Sequence, residues 1–186
     1  LYSASSNLFS ESGLNLDQEG VLDDMGDIEF TVEVSVENFK KIKTFVKDVL
    51  VSSQKLVSLG GDHSVSWPIL DAHLDIWDAL DILHIDAHPD LYDSLLGNKL
   101  SHASPFARIM ETGRASRLVQ VGIRTLNKHQ REQAEKFGVE IYQMKDLTKL
   151  NSLSFSKPVY CSIDIDALDP AYAPGVSHFE PGGLST

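Results

Sequence analysis

A chain of 186 residues with 42% hydrophobic content is long enough to bury one sizeable core and too apolar for a disordered tail. Its 27 acidic residues against 16 Lys and Arg give a formal charge of -11, which disfavours nucleic acid and suits a cationic ligand better. The lone cysteine excludes an intrachain disulfide framework and points to a reducing, intracellular setting, cytoplasm or mitochondrion alike; no apolar run nears the roughly 20 residues that span a membrane.

Residues 1 to 30, rich in Ser, Asn, Gly and Asp, read as loop and short irregular structure. From Phe39 onward, Ile42, Phe45, Val46, Val49 and Leu50 recur at helical spacing, which predicts a helix over about 37 to 53. Leu56 to Leu59 reads as a short buried strand stopped by Gly60 and Gly61. Ser64 to Leu80 returns to helical spacing, with Ile69, Leu70, Leu74 and Trp77 as its buried stripe. Asp81 to Ile85 is strand-like, a polar loop runs to about Ser101, and Ser104 with Pro105 opens a helix that Gly113 ends. Leu118 to Ile123 follows as a strand, Asn127 to Phe137 as a polar helix closed by Gly138, and Val139 to Tyr142 as another strand. After a Ser, Leu and Lys loop, Pro158 to Ile165 is the last strand, with Cys161 read as a packed core thiol. This alternation predicts one α/β domain over 1–186 with a mostly parallel sheet between helices, and ligands collect beyond the carboxyl ends of such strands. The absence of an opening Met, and a Gly-Gly-Leu-Ser-Thr end that looks like the entrance to another element, lead us to expect an incomplete domain, truncated at both termini.

Three predicted strand ends carry chemistry. Asp81 to Asp90 reads DILHIDAHPD: Asp86 and His88, two apart on extended chain, share a face, and Pro89 breaks the ladder so that Asp90 can fold back. Ser162 to Pro170 reads SIDIDALDP, with Asp164 and Asp166 again two apart. LGGDHS, from Leu59 to Ser64, puts His63 just past a glycine pair. Four carboxylates brought together without cations would repel by roughly 4 kcal/mol per pair at about 4 Å and an effective dielectric of about 20. Two histidines and four aspartates without a thiolate suit Mn(II) or a similar borderline-hard ion, in numbers sufficient for two ions with shared carboxylates. Asp71 to Asp75, DAHLD, matches the same string but falls on a predicted helix, where Asp71 and His73 stand about 200° apart and cannot chelate as a strand pair does. We read it, and His129, as solvated helix surface, and His84 as facing away from Asp86 or packed locally.

With GGDHS, DAHPD and SIDIDALDP in this order, joined by Gly26–Asp27, GNKLSHASPF and APGVSHFEPGGLS, the chain resembles the ureohydrolase superfamily of arginases, agmatinases and formiminoglutamases over about residues 20 to 186, most closely its plant-type arginase branch. The resemblance implies a three-layer α/β/α arginase-like fold, homo-oligomers (trimers or hexamers), a small guanidino substrate, no nucleic-acid or membrane partner, and two Mn2+ per subunit. It makes Asp86 and Asp164 bridging ligands, with His63 and Asp90 completing one ion and His88 and Asp166 the other. It implies hydrolysis of L-arginine to ornithine and urea by a hydroxide held between the ions. Asp90 would pass the proton to the leaving amine, the loop residue His102 would exchange protons with solvent, and His178 and Glu180 would approach the guanidinium.

Two features depart from the family pattern. Ala103 follows His102 where the family usually has Gly, and the family glutamate that grips the guanidinium lies beyond Thr186, so the 186-residue chain alone is expected to be inactive or nearly so. The alternatives are agmatinase activity, giving putrescine and urea, a catalytically silent metal-binding or assembly subunit, and a related one-zinc deacetylase, which would not need Asp90 and Asp166 as a second ion set.

Overall fold

The computed structural model describes residues 7–30, 36–52 and 55–185, so the sequence reading of residues 1–6, 31–35, 53, 54 and 186 lies outside it. These residues belong to two compact units, 1–31 and 32–186. In the first, Phe9 and Asn15 form an isolated antiparallel bridge around a turn, and the rest is irregular, as its composition suggests. Gly26, of the family-like Gly-Asp pair, takes φ +77 there.

Among the described residues the second unit is built on four parallel strands, β1 (Asp81–Ile85), β2 (Arg117–Ile123), β3 (Glu140–Gln143) and β4 (Val159–Ile163), in the order β3-β2-β1-β4. Its α-helices are α1 (Val36–Ser52), α2 (Ser66–Leu74), α3 (Pro105–Glu111) and α4 (Lys128–Phe137). The apolar stripe of α1 buries Phe39, Ile42, Val46, Val49 and Leu50, and Phe39 meets the Trp67 ring of α2 edge-on at 5.5 Å. Leu70 and Leu74 of α2, Phe106 and Ile109 of α3 and Ala134 of α4 share one core with Ile82 of β1 and Leu118 of β2. Three helices thus cover the sheet face that carries Ile82 and Leu118, and the same alternation aims His84 and Gln120 into that layer.

The predicted stops hold. Asn127 accepts the Gln130 N–H at 2.9 Å to start α4, and Gly138 closes it at φ 65. Pro105 opens α3, although Ser104 bonds Ser101 Oγ rather than capping the helix. Other expectations fail. Leu56 to Leu59 forms no strand, and Val57 and Leu59 are exposed, because no described strand pairs with this segment. The helix predicted over 64 to 80 is a 3-10 turn at His63–Val65 followed by α2. Residues 75 to 80 turn to deliver the chain to β1, and Trp77 is held outside the helix by stacking on His73. The Ser, Leu and Lys loop is wound as a 3-10 stretch, Met144–Ser152. Cys161 is exposed on β4, an edge strand among the described residues, rather than packed in the core.

Asp71 is no solvated surface carboxylate. It pairs with Lys43 of α1 at 2.7 Å and Arg114, after α3, at 2.5 Å, while Asp75 takes Lys47 at 3.0 Å and Arg114 at 2.7 Å. The DAHLD string is therefore a structural ion network that ties α1, α2 and the end of α3 together. Periodicity separates it from the strand-end DAHPD, but long-range pairing decides what it does.

β2 passes the end of β1 by a glycine. Gly122 takes φ +90 at a register shift between Val121 and Ile123, and a Cβ there would stand 3.1 Å from the Asp86 carbonyl oxygen. Only glycine tolerates both the backbone and the approach. Gly122→Ala should destabilise the protein by about 1–3 kcal/mol, whereas Gly175→Ala, in open space without positive φ, should stay within about 0.5 kcal/mol. Denaturant unfolding of both variants in the complete gene product measures the difference; equal midpoints would refute the close-approach account.

Candidate metal centre

Main-chain register carries the first two carboxylates to one place. Ile85 of β1 pairs with Ile163 of β4; one step further, Asp86 N–H bonds Val121 O at 3.0 Å and Asp164 N–H bonds Ile85 O at 2.9 Å. Asp86 and Asp164 thus end adjacent strands side by side. After Pro89 the chain turns through Asp90 at φ 48, a left-handed conformation that a non-glycine residue adopts at a cost of about 1–2 kcal/mol. That turn brings the Asp90 carboxylate back to His63. Asp62 caps the 3-10 turn by accepting the Ser64 N–H, which holds His63 at its first position.

The six sequence-predicted side chains form two pockets. In the first, His63 Nδ1 lies 3.0 Å from Asp90, 3.1 Å from Asp86 and 3.5 Å from Asp164. In the second, His88 Nδ1 lies 3.0 Å from Asp166 and 3.4 Å from Asp86. Asp166 is steadied by the Ala87 N–H at 3.2 Å, and Asp164 by the Asp166 N–H at 2.9 Å.

His63 tests whether a cation suits the first pocket. Its Nε2 meets Ser162 Oγ at 2.9 Å, so the opposite nitrogen is left to face the carboxylates. That Nδ1 is buried, yet no oxygen lies where a hydrogen on it would point. A nitrogen lone pair and three carboxylate oxygens converging with no hydrogen bond from the ring to any of them need positive charge between them, and a histidine held through its other ring nitrogen is the usual arrangement of a metal ligand. The residues fit divalent ions, with Asp86 common to both pockets.

Without a metal, protons take over part of that role. Burial opposes a charge on His63, but the Asp86 and Asp90 carboxylates outweigh it and raise the imidazole to about 10. Burial likewise opposes a charge on His88, and Asp166 with Asp86 lifts it to about 11. Burial pushes Asp90 up to about 7, helped by the charge of Asp86. Asp86 itself, although burial raises it, is held well below the usual carboxylate range by His84, His63 and His88.

Around this centre the outer residues divide. Glu180 Oε1 is 3.5 Å from His88 Nε2, and the His178 ring lies 5.6 Å from the His88 ring. His102 is exposed, its ring 6.4 Å from that of His178, so it stands at the rim rather than in the cluster. Three residues do more than the sequence reading gave them. Of the two readings of His84, local packing holds, against the Phe106 ring, but it does not face away from Asp86: two apart on a strand, they share a face, and His84 Nε2 lies 2.7 Å from Asp86 Oδ2. That period-two rule, applied to Asp86 and His88, applied equally here. Gln120 sits beside His84 on β2. Arg124, just past β2, donates to the carbonyls of Asp166 at 2.6 Å, Glu180 at 2.7 Å and Ala167 at 3.2 Å, binding the second pocket to the Glu180 segment. Nothing in its one-dimensional context marks that role.

Fold and cluster together define a parallel α/β protein whose strand ends offer two histidine–carboxylate pockets suited to divalent cations. The chain belongs to the arginase family, whose family model matches residues 2–186. It is 47% identical over 199 residues to "Arginase 1, mitochondrial" of Oryza sativa subsp. indica, covering 100% of this chain and 58% of the rice protein. It is 35% identical over 166 residues to an agmatinase of Bacillus cereus, covering 88% of this chain and 57% of that protein. Among solved structures it is similar to arginase from Medicago truncatula, with TM-score 0.76 and 49% identity over 81% of this chain and 51% of that one. The chain thus spans less than two thirds of the length of these relatives.

The raised histidines set the pH dependence of metal binding. Their charged forms stabilise the metal-free fold at neutral pH and below, and that contribution is lost as pH rises through about 10. A cation held by these pockets would displace the protons on His63 and His88, so affinity should rise with pH, with about two protons released per chain at about pH 8, above the value of about 7 to which Asp90 is raised. Titration calorimetry in buffers of different ionisation enthalpy reads this number; zero release would show that the histidines are neutral before metal enters.

Proposed function

We propose that residues 1–186 form one incomplete ureohydrolase domain, and that the complete gene product hydrolyses L-arginine to ornithine and urea with two Mn2+ per subunit. The observation that carries this reading is the convergence of His63, Asp86, Asp90 and Asp164 beside His88, Asp86 and Asp166 at neighbouring strand ends. In this reading His63 and Asp90 would hold one ion, His88 and Asp166 the other, and Asp86 and Asp164 would serve both. Two divalent cations, when bound, make a water-derived nucleophile available at neutral pH. Asp90, which lies beside His63 in the first pocket, would take up the proton of the metal-held hydroxide and pass it to the leaving amine. Glu180 and His178, which flank His88, face the guanidinium side, and exposed His102 exchanges protons with solvent. The acidic balance of the chain favours a cationic substrate.

The rice arginase likeness supports arginine; the Bacillus cereus agmatinase likeness supports agmatine as the second reading, since both substrates carry the guanidinium. A trimer or hexamer in an intracellular compartment completes the proposal. No described helix is long and apolar enough to cross a membrane.

The test is urea release from arginine and agmatine, and formamide release from formiminoglutamate, by the complete gene product after incubation with Mn2+. Arginine should be preferred; turnover of none of the three would remove the enzyme reading. Asp86→Asn should weaken metal binding by roughly 100-fold or more, beyond what loss of a group supporting a ligand costs, and abolish urea release. Asp71→Asn, in the ion network, should keep both ions and turnover while costing up to about 1 kcal/mol of stability. Loss of a metal in Asp71→Asn would show that the two DAHxD strings had been assigned wrongly.

A further inference from the structure

His84 is fully buried beside Asp86, and the bonds around it dictate which of its nitrogens carries a hydrogen. Gln120, its register partner on β2, places its amide nitrogen 2.6 Å from the Pro89 carbonyl oxygen and 3.0 Å from His84 Nδ1. A carbonyl oxygen only accepts, so the Gln120 atom facing it is the NH2 group; the reversed amide would set two acceptors against each other. The second amide hydrogen points at His84 Nδ1, which accepts it and carries no proton of its own. The ring is therefore neutral, and its hydrogen sits on Nε2, donated to Asp86 Oδ2 at 2.7 Å. Gln120 Oε1 is left without a partner in the buried layer, at a cost of about 1–3 kcal/mol, so the donor orientation prevails against a penalty.

Asp86 accepts a second bond on its other oxygen, Oδ1, from the His88 N–H at 2.6 Å. A carboxylate has about four acceptor positions, two on each oxygen. One on each is taken, leaving one free on Oδ2, which lies 3.1 Å from His63 Nδ1, and one on Oδ1, which lies 3.4 Å from His88 Nδ1. The two bonds thus hold the carboxylate astride both pockets. Rotation about its Cβ–Cγ bond would break both bonds. The His84 ring cannot swing to follow, since it stacks on Phe106 at 3.9 Å.

We propose that His84, locked in its Nε2–H tautomer by Gln120, is a positioning residue that keeps one Asp86 oxygen in each pocket and thereby couples the two metal sites. It is not itself a metal ligand, although it lies within ligand reach of His63 and Asp86, because the nitrogen turned toward them bears the hydrogen. The proposal rests on the reading that both pockets bind divalent cations.

The test uses the complete gene product, with Mn(II) as the probe for metal coupling and Zn(II) as its diamagnetic stand-in for nuclear magnetic resonance. His84→Phe keeps a stacking ring and removes the donor; His84→Gln restores an N–H close to where Nε2 stands. Electron paramagnetic resonance separates a spin-coupled pair of Mn(II) ions from isolated ones, and thermal melting checks that each variant folds. Wild type and His84→Gln should show the coupled pair, while His84→Phe should bind one ion 10–100-fold more weakly and show mainly isolated Mn(II), the size of effect usual for a group that orients a ligand. Nitrogen-15 spectra of histidine-labelled, Zn(II)-loaded wild type should place the hydrogen of His84 on Nε2. If His84→Phe does not fold, Gln120→Leu carries the same test: it should give mixed His84 tautomers and weaker coupling. A coupled pair bound as tightly in His84→Phe, or a metal-shifted His84 Nε2, would overturn the proposal while leaving the metal centre standing. A wild type that binds no Mn(II) would instead overturn the metal reading, and the proposal with it.

Discussion

Negative charge crowded into a buried place is the constraint around which this molecule is arranged. Asp86 is 1% exposed, and Asp90 and Asp166 are also buried. Carboxylates in such surroundings are tolerated only when positive charge or hydrogen-bond donors reach them. The structural devices near the site bring these groups together and hold them in place. Parallel register sets Asp86 beside Asp164, the left-handed turn after Pro89 returns Asp90 to His63, and Gly122 lets β2 pass the Asp86 carbonyl. Arg124 serves the same end from outside: its guanidinium gathers the carbonyls of Asp166, Ala167 and Glu180. Gly183 leaves room for the same strap, since a Cβ there would fall 2.5 Å from the Asp169 nitrogen and 2.6 Å from the Leu168 carbonyl carbon, with Arg124 Nη2 at 2.7 Å.

The legible part of the sequence was the part governed by short-range periodicity. Strand-end aspartates two apart, the glycine closing α4 and the apolar stripe of α1 follow from local geometry, and they match the structure because neighbours in sequence are neighbours in space there. Residues whose state depends on distant partners were not legible. Leu56 to Leu59 reads as a strand by composition but has no described strand to pair with, and Cys161 lies in an apolar run whose outer side is open. Asp71 reads as solvated until Lys43 and Arg114 are brought to it across α1 and the end of α3. His84 is different, because the period-two rule already put it on the face of Asp86. Only its partners Gln120 and Phe106 needed the fold.

Two strings of one DAHxD pattern, DAHLD and DAHPD, show how far context outweighs composition. On α2 the aspartates are neutralised one by one by Lys and Arg side chains from neighbouring elements. At the end of β1 no lysine or arginine pairs with Asp86 or Asp90 among the described ion pairs, and histidines stand in their place. Histidine gives up its proton to a cation far more readily than lysine or arginine does, so the first arrangement is a staple and the second is a receptor.

The central claim is that Asp86 is shared between two cation pockets. Crystals of the complete gene product soaked in Mn(II) and measured at the manganese absorption edge test it directly. The account predicts two anomalous peaks per chain, one against His63, Asp90 and Asp164 and one against His88 and Asp166, with a different oxygen of Asp86 on each. A single peak, or two peaks of which one lacks Asp86, would contradict it.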